Sequence, residues 1–115
     1  MESTPEKFRT DLEIIRETAT QVIRDFSIHK VEVVFSGNEL LAYTELVTQI
    51  EPALMEMYRT NRLGFQALLY QIDIPEPAFK RLLKESNSDD FAHQLAELII
   101  QREFQKVLTR RFFKK

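Results

Sequence analysis

Residues 8–26 read FRTDLEIIRETATQVIRDF, and in this stretch Phe8, Leu12, Ile15, Ala19, Val22 and Phe26 recur at steps of four, three, four, three and four. An α-helix turns once in about 3.6 residues, so this spacing stacks the six side chains on one face that has to meet another apolar surface. The stretch predicts a helix and a partner for it. Upstream, Thr4-Pro5-Glu6 is a good helix start. Threonine can cap, proline suits the first helical position, and an acid there complements the N-terminal dipole.

Downstream the helix has two possible ends. Val31-Glu32-Val33-Val34-Phe35 is β-branched and alternates like a strand, yet Val33 also continues the stripe seven residues after Phe26. A strand needs a ladder partner, and Tyr70-Gln71-Ile72-Asp73-Ile74 alternates too. The expected fold is therefore an all-α compact bundle of four to five helices, at about 5–27 or 5–35, 38–60 kinked at Pro52, 62–72, 75–85 and 89–112. The alternative is an α+β arrangement with a minor two-stranded ribbon from 31–35 and 70–74.

The later elements follow from the same spacing. Asn38 can cap a helix whose seam, Leu40, Tyr43, Val47, Ile50, Leu54 and Met57, keeps its phase through Pro52. Thr60-Asn61 is a break, and Phe65, Leu68, Leu69 and Ile72 mark a shorter helix despite Gly64. Asp73 followed by Glu76 resembles a capping box for the next helix, with Phe79, Leu82 and Leu83 inward. Ser88-Asp89-Asp90 caps the last helix, whose stripe is Ala92, Leu95, Ala96, Ile99, Ile100, Phe104, Val107 and Leu108.

The 115 residues, 43% hydrophobic, suffice for one domain and one core. Two glycines and four prolines are too few turn residues for a many-stranded sandwich or barrel. With no cysteine, disulfides, thiolate catalysis and cysteine-bound zinc are excluded, and a reducing, cytoplasmic setting is the expectation. The first residues lack a basic segment followed by an apolar run, and no window approaches about 18 uninterrupted apolar residues.

Chemistry-bearing patterns are sparse. Asp89, His93 and Glu97 lie four residues apart on one helix face, where they could approach one cation, but no Glu-x-x-His or His-Glu-x-x-His element completes a known metal pattern. A solvated face of caps and ion pairs is the simpler reading, and no metal, cofactor or catalytic residue is expected. His29 reads as a surface residue. The serines fall at turns and the two glycines are isolated, so neither a nucleophile elbow nor a phosphate loop exists. Met55, Met57 and Tyr58 read as core rather than as an adaptable binding surface.

The more serious candidate is the C-terminal tip, where Lys106, Arg110, Arg111, Lys114 and Lys115 concentrate a charge of +5 beside Phe112 and Phe113. The whole chain carries −2, which leaves −7 on residues 1–103. That acidic body repels a polyanion, so nucleic acid or an anionic membrane is the lesser alternative for this tip. Cations in a last turn also simply complement the helix dipole. The leading expectation is a small non-catalytic helical interaction or scaffold protein. Its longest helices outreach their neighbours, and a homodimer or a protein partner would cover the apolar ends.

Overall fold

The computed structural model describes residues 5–87 and 90–113. The side chain of Phe8, first in the opening stripe, lies outside the described residues, as do Thr4, Ser88, Asp89, Lys114 and Lys115. The stripe becomes α1 (Pro5–Ser27), in which Ala19, Val22 and Phe26 are fully buried. Leu12 and Ile15, nearer its start, are only half-buried. After a single 3-10 turn (Glu39–Leu41) come α2 (Ala42–Thr60), α3 (Arg62–Ile72), α4 (Glu76–Glu85) and α5 (Phe91–Phe113). Among the described residues there is no strand, so the ribbon from 31–35 and 70–74 does not form and the bundle is all-α.

The two ends of α1 allowed by the sequence are decided by a C-terminal cap. Val31 N donates to Phe26 O at 3.1 Å and Lys30 N to Ser27 O at 2.9 Å, the paired bonds of a Schellman motif, with Lys30 in the left-handed region at φ 64°. The helix therefore stops at Ser27 instead of continuing to 35. The same motif closes α3: Ile74 N donates to Leu69 O, Asp73 N to Tyr70 O, and Asp73 sits at φ 75°. This corrects the capping-box reading of Asp73 with Glu76. Because Asp73 terminates α3, Pro75 takes the N-cap of α4 with no side-chain hydrogen bond.

Residues 31–36 are extended, and the arrangement of the long helices explains why. Arg111 of α5 pairs with Glu13 and Glu17 of α1, while His93 and Glu97 of α5 meet Glu51 and Tyr43 of α2. Thus α5 runs antiparallel to both α1 and α2, and these two run parallel to each other. Arg16 binds Glu39 at 2.6 Å, so α2 starts beside the middle of α1. The chain must return from Ser27 to the level of Arg16, which is about 17 Å along a helix at 1.5 Å per residue. Six extended residues at about 3.3 Å each cover that distance.

The alternation in 31–35 is real, but its ladder is supplied by side chains. Val33 is buried and Val34 exposed, as in a strand. The Gln49 amide takes the place of a neighbouring strand: Val34 N donates to Gln49 Oε1 at 2.9 Å, and Gln49 Nε2 donates to Val34 O at 2.7 Å. Ser36 N donates to Glu45 Oε1 one turn earlier on α2. Asn38 then caps the 3-10 turn by accepting from Leu40 N.

Pro52 lies inside one continuous α2, on its exposed side, where the carbonyl it leaves unpaired can face water. The start of the α2 seam differs from expectation. Leu40, in the 3-10 turn that winds at about three residues per turn, is exposed, Ala42 and Leu46 are buried, and Tyr43 is partly exposed at the edge of the seam with its hydroxyl on Glu97 of α5. Asn61 breaks the chain and caps α3 by accepting from Gly64 N at 3.0 Å. A Cβ at position 64 would lie 2.4 Å from Asn61 Nδ2, so the glycine leaves room for that cap.

Four rings, Tyr58, Phe65, Phe79 and Phe91, form a closed circuit with centroids 5.2 to 5.8 Å apart and join α2, α3, α4 and α5. Met57 is buried and Met55 half-buried against the same core. Leu83, expected inside, is exposed, because α4 packs on α5 and touches α3 through Phe79 against Phe65, and buries a strip too narrow to include it. The last helix starts at Phe91, two residues later than expected, and among the described residues it is the only helix that packs on all four others.

Two stability changes follow. Lys30→Gly should raise unfolding free energy by about 0.5–1 kcal/mol in urea titration, since a left-handed residue with a Cβ costs about 1–2 kcal/mol and glycine returns part of that as chain entropy. Gln49→Ala should lower it by about 1 kcal/mol with helix content unchanged, reflecting the lost bonds to Val34.

Candidate interaction surface

Two opposite sides of α5 are apolar. Its inner side carries Leu95, Ala96, Ile99, Ile100 and Val107, all buried. At about 100° per residue, Leu98, Phe104, Leu108 and Phe112 fall together on the other side, with Gln101 and Gln105 between them. Phe104 is 39% and Phe112 63% exposed. The sequence stripe that placed Phe104 among the core residues is corrected accordingly: Phe104 belongs to the outer side.

This outer side continues into a groove of about 230 Å³ between α1, α2 and α5, lined by Ile15, Thr18, Ala42, Tyr43, Leu46, Ile100, Gln101 and Phe104. Its floor is almost wholly apolar. One polar array closes the rim: Tyr43 Oη donates to Glu97 Oε2 at 2.7 Å, and His93 sits between Glu97 and Glu51. Burial first, then the Glu97 carboxylate, push the Tyr43 phenol up to about 12, so it stays a donor at neutral pH. The hydrogen bond to Glu51 raises His93 above the usual imidazole range.

This array is where the sequence-level metal candidate went. His93 and Glu97 do share a face, Asp89 lies outside the described residues, and Glu51 arrives from α2 as the partner that spacing could not reveal. Among the described residues no three carboxylate or imidazole groups are placed to hold a metal ion.

The basic tip does not form one surface. Lys106 turns inward, its Nζ donating to Ile72 O at 3.1 Å. Arg111 lies across α1, donating to Glu13 and Glu17 at 2.8 and 3.1 Å, and both contacts hold its guanidinium firmly protonated. Of the five cations, Arg110 is exposed, while Lys114 and Lys115 lie outside the described residues. Phe112 and Phe113 are exposed.

A second cluster went unread in the sequence. Glu103 is 0% exposed and Asp25 is 6% exposed, and their carboxyl groups meet between α5 and α1. Gln71 of α3 joins them, its Nε2 donating to Asp25 Oδ1 at 3.0 Å while its Oε1 lies 3.0 Å from His29 Nε2. His29 is therefore half-buried against α3, not a free surface residue. The signal was available. Glu103 stands four residues from both Ile99 and Val107, on the buried side of α5, and an acid at such a position is out of place unless partnered.

No helix among the described residues is long and apolar enough to cross a membrane. Compared with known protein families, with characterised proteins and with solved structures, the chain matches none.

Proposed function

We propose that this protein is a non-catalytic helical association module that pairs with a second copy of itself through the outer side of α5. The observation that carries the reading is the two-sided apolarity of α5, one side packed in the core and the other carrying Phe104 and Phe112, exposed, between the half-buried Leu98 and Leu108. Leu63 and Tyr70 are exposed as well and share one face of α3, but they stand two turns apart on it with Gln66 and Ala67 between them. The α5 patch is continuous with a groove and rimmed by polar groups, as interaction sites are.

Self-pairing is favoured by what the patch lacks. A two-fold interface sets the same surface against itself, so a charge near the axis meets its own copy. Gln101 and Gln105, the polar residues between the apolar side chains, are both neutral, and Arg102 at the edge is paired with Asp73. Size sets the strength. The stretch from Leu98 to Phe112 is about 22 Å long and offers roughly 220 Å² over a 10 Å width, against about 800 Å² per partner in a stable interface. The groove, with Tyr43 and Ile15, has to contribute, and the association is weak. A cytoplasmic setting fits the absence of cysteine. Internal pairing of Lys106 and Arg111 supports protein association over nucleic-acid or anionic-membrane docking.

Light scattering after size-exclusion chromatography tests this. The expected result is an average mass that rises from 13.6 kDa toward twice that value with concentration, for the wild type. Phe112→Glu and Phe104→Glu should each stay at 13.6 kDa with unchanged helix content. A wild type that is monomeric at every concentration would overturn the proposal, as would a dimer indifferent to both substitutions.

A further inference from the structure

Glu103 and Asp25 meet in the core, yet their surroundings are unequal. Asp25 is well supplied with donors: Gln21 Nε2 approaches both its oxygens at 3.2 Å, and Gln71 Nε2 reaches Oδ1 at 3.0 Å. Neither oxygen of Glu103 receives a hydrogen bond. Lys106 Nζ comes to 3.2 Å from Glu103 Oε1, but without hydrogen-bond alignment, and it is engaged by Ile72 O at 3.1 Å. As two carboxylates, Glu103 and Asp25 would place like charges in contact with no donor between them. A single proton on Glu103 removes one charge and supplies the missing donor.

We propose that Glu103 carries that proton at neutral pH and donates it in a hydrogen bond to Asp25, so that the seam joining α1, α3 and α5 is a proton-operated latch which loosens on deprotonation. The groups facing Glu103 are Asp25 from α1 and Lys106 from α5, while Gln21 of α1 and Gln71 of α3 reach the cluster through Asp25. His29, in the turn after α1, acts on the cluster only through Gln71. Burial, then the hydrogen bond and charge of Asp25, push the Glu103 carboxyl up to about 8, with Lys106 opposing them and outweighed. Burial also raises Asp25, but the bonds from Glu103, Gln71 and Gln21 and the charge of Lys106 together leave it below its ordinary value. Deprotonation leaves Arg111 with Glu13 and Glu17 as the polar tie between the C-terminal half of α5 and α1.

The sign of the effect is fixed by which state holds the proton more tightly. Glu103 is raised from 4.5 to about 8 on folding, so its contribution to stability is complete below pH 4.5 and is lost as pH rises toward 8. Asp25 is shifted the other way from 3.8, so its contribution is lost only at more acidic pH, outside this window.

The test is urea unfolding of the full chain from pH 5 to 9, for the wild type and Glu103→Gln, whose amide imitates the neutral acid. Between pH 5.5 and 7.5 the wild-type folded-to-unfolded ratio should fall about tenfold per pH unit relative to the variant, and level off above about pH 8. Carbon-13 NMR of the Glu103 carboxyl in the wild type reads the same titration directly, should Glu103→Gln fail to fold. Asp25→Asn should move that titration to lower pH. A Glu103 carboxyl that titrates near 4.5, or a wild-type pH slope no steeper than that of Glu103→Gln, would overturn the latch.

Discussion

Every other helix of this protein rests on α5, and that dependence sets the geometry of the whole chain. A helix that touches four neighbours must be apolar around much of its circumference, and α5 is. It lies antiparallel to α1 and to α2, which forces those two to run parallel. Parallel neighbours in sequence need a crossover, and the extended residues 31–36 are that crossover. The feature that looks least helical in the sequence is thus a consequence of the helical packing, not an exception to it.

Much of this architecture is legible from the residues, because the forces concerned are local or periodic. The α1 stripe, the Asn38 cap, the break at Asn61 and the four later helices all rest on spacing and cap chemistry that act within a few residues. What escaped reading depends on contacts across the sequence. Alternation in 31–35 correctly reports extended backbone, but it cannot report that Gln49, fifteen residues after Val34, will satisfy that backbone in place of a strand. Asp73 precedes Glu76 at capping distance, yet the left-handed close of α3 claims it first. Spacing put His93 and Glu97 on one face and could not supply Glu51 or Tyr43 from another helix.

The same limit applies to the candidate surface. A list of cations at 106, 110, 111, 114 and 115 reads as one basic tip, whereas helix geometry points Lys106 and Arg111 inward or across to α1. Conversely, Phe104 reads as core by apolar spacing, and the packing of α5 leaves it outside. On a helix with apolar residues all round, periodicity alone does not say which side the core takes. The two departures from a simple bundle, an acid on the buried side of α5 and phenylalanines on its open side, are where sequence and packing disagree. Such disagreements concentrate at functional positions.

The open side of α5 is proposed as the association surface for a second copy. Backbone amide shifts recorded by ¹⁵N NMR across a hundredfold range of protein concentration test it residue by residue. Shifts should move at Leu98, Gln101, Phe104, Leu108 and Phe112 and along the Tyr43 rim, and stay fixed at Leu63 and Tyr70 on α3. Shifts independent of concentration, or changes centred on α3 rather than α5, would contradict it.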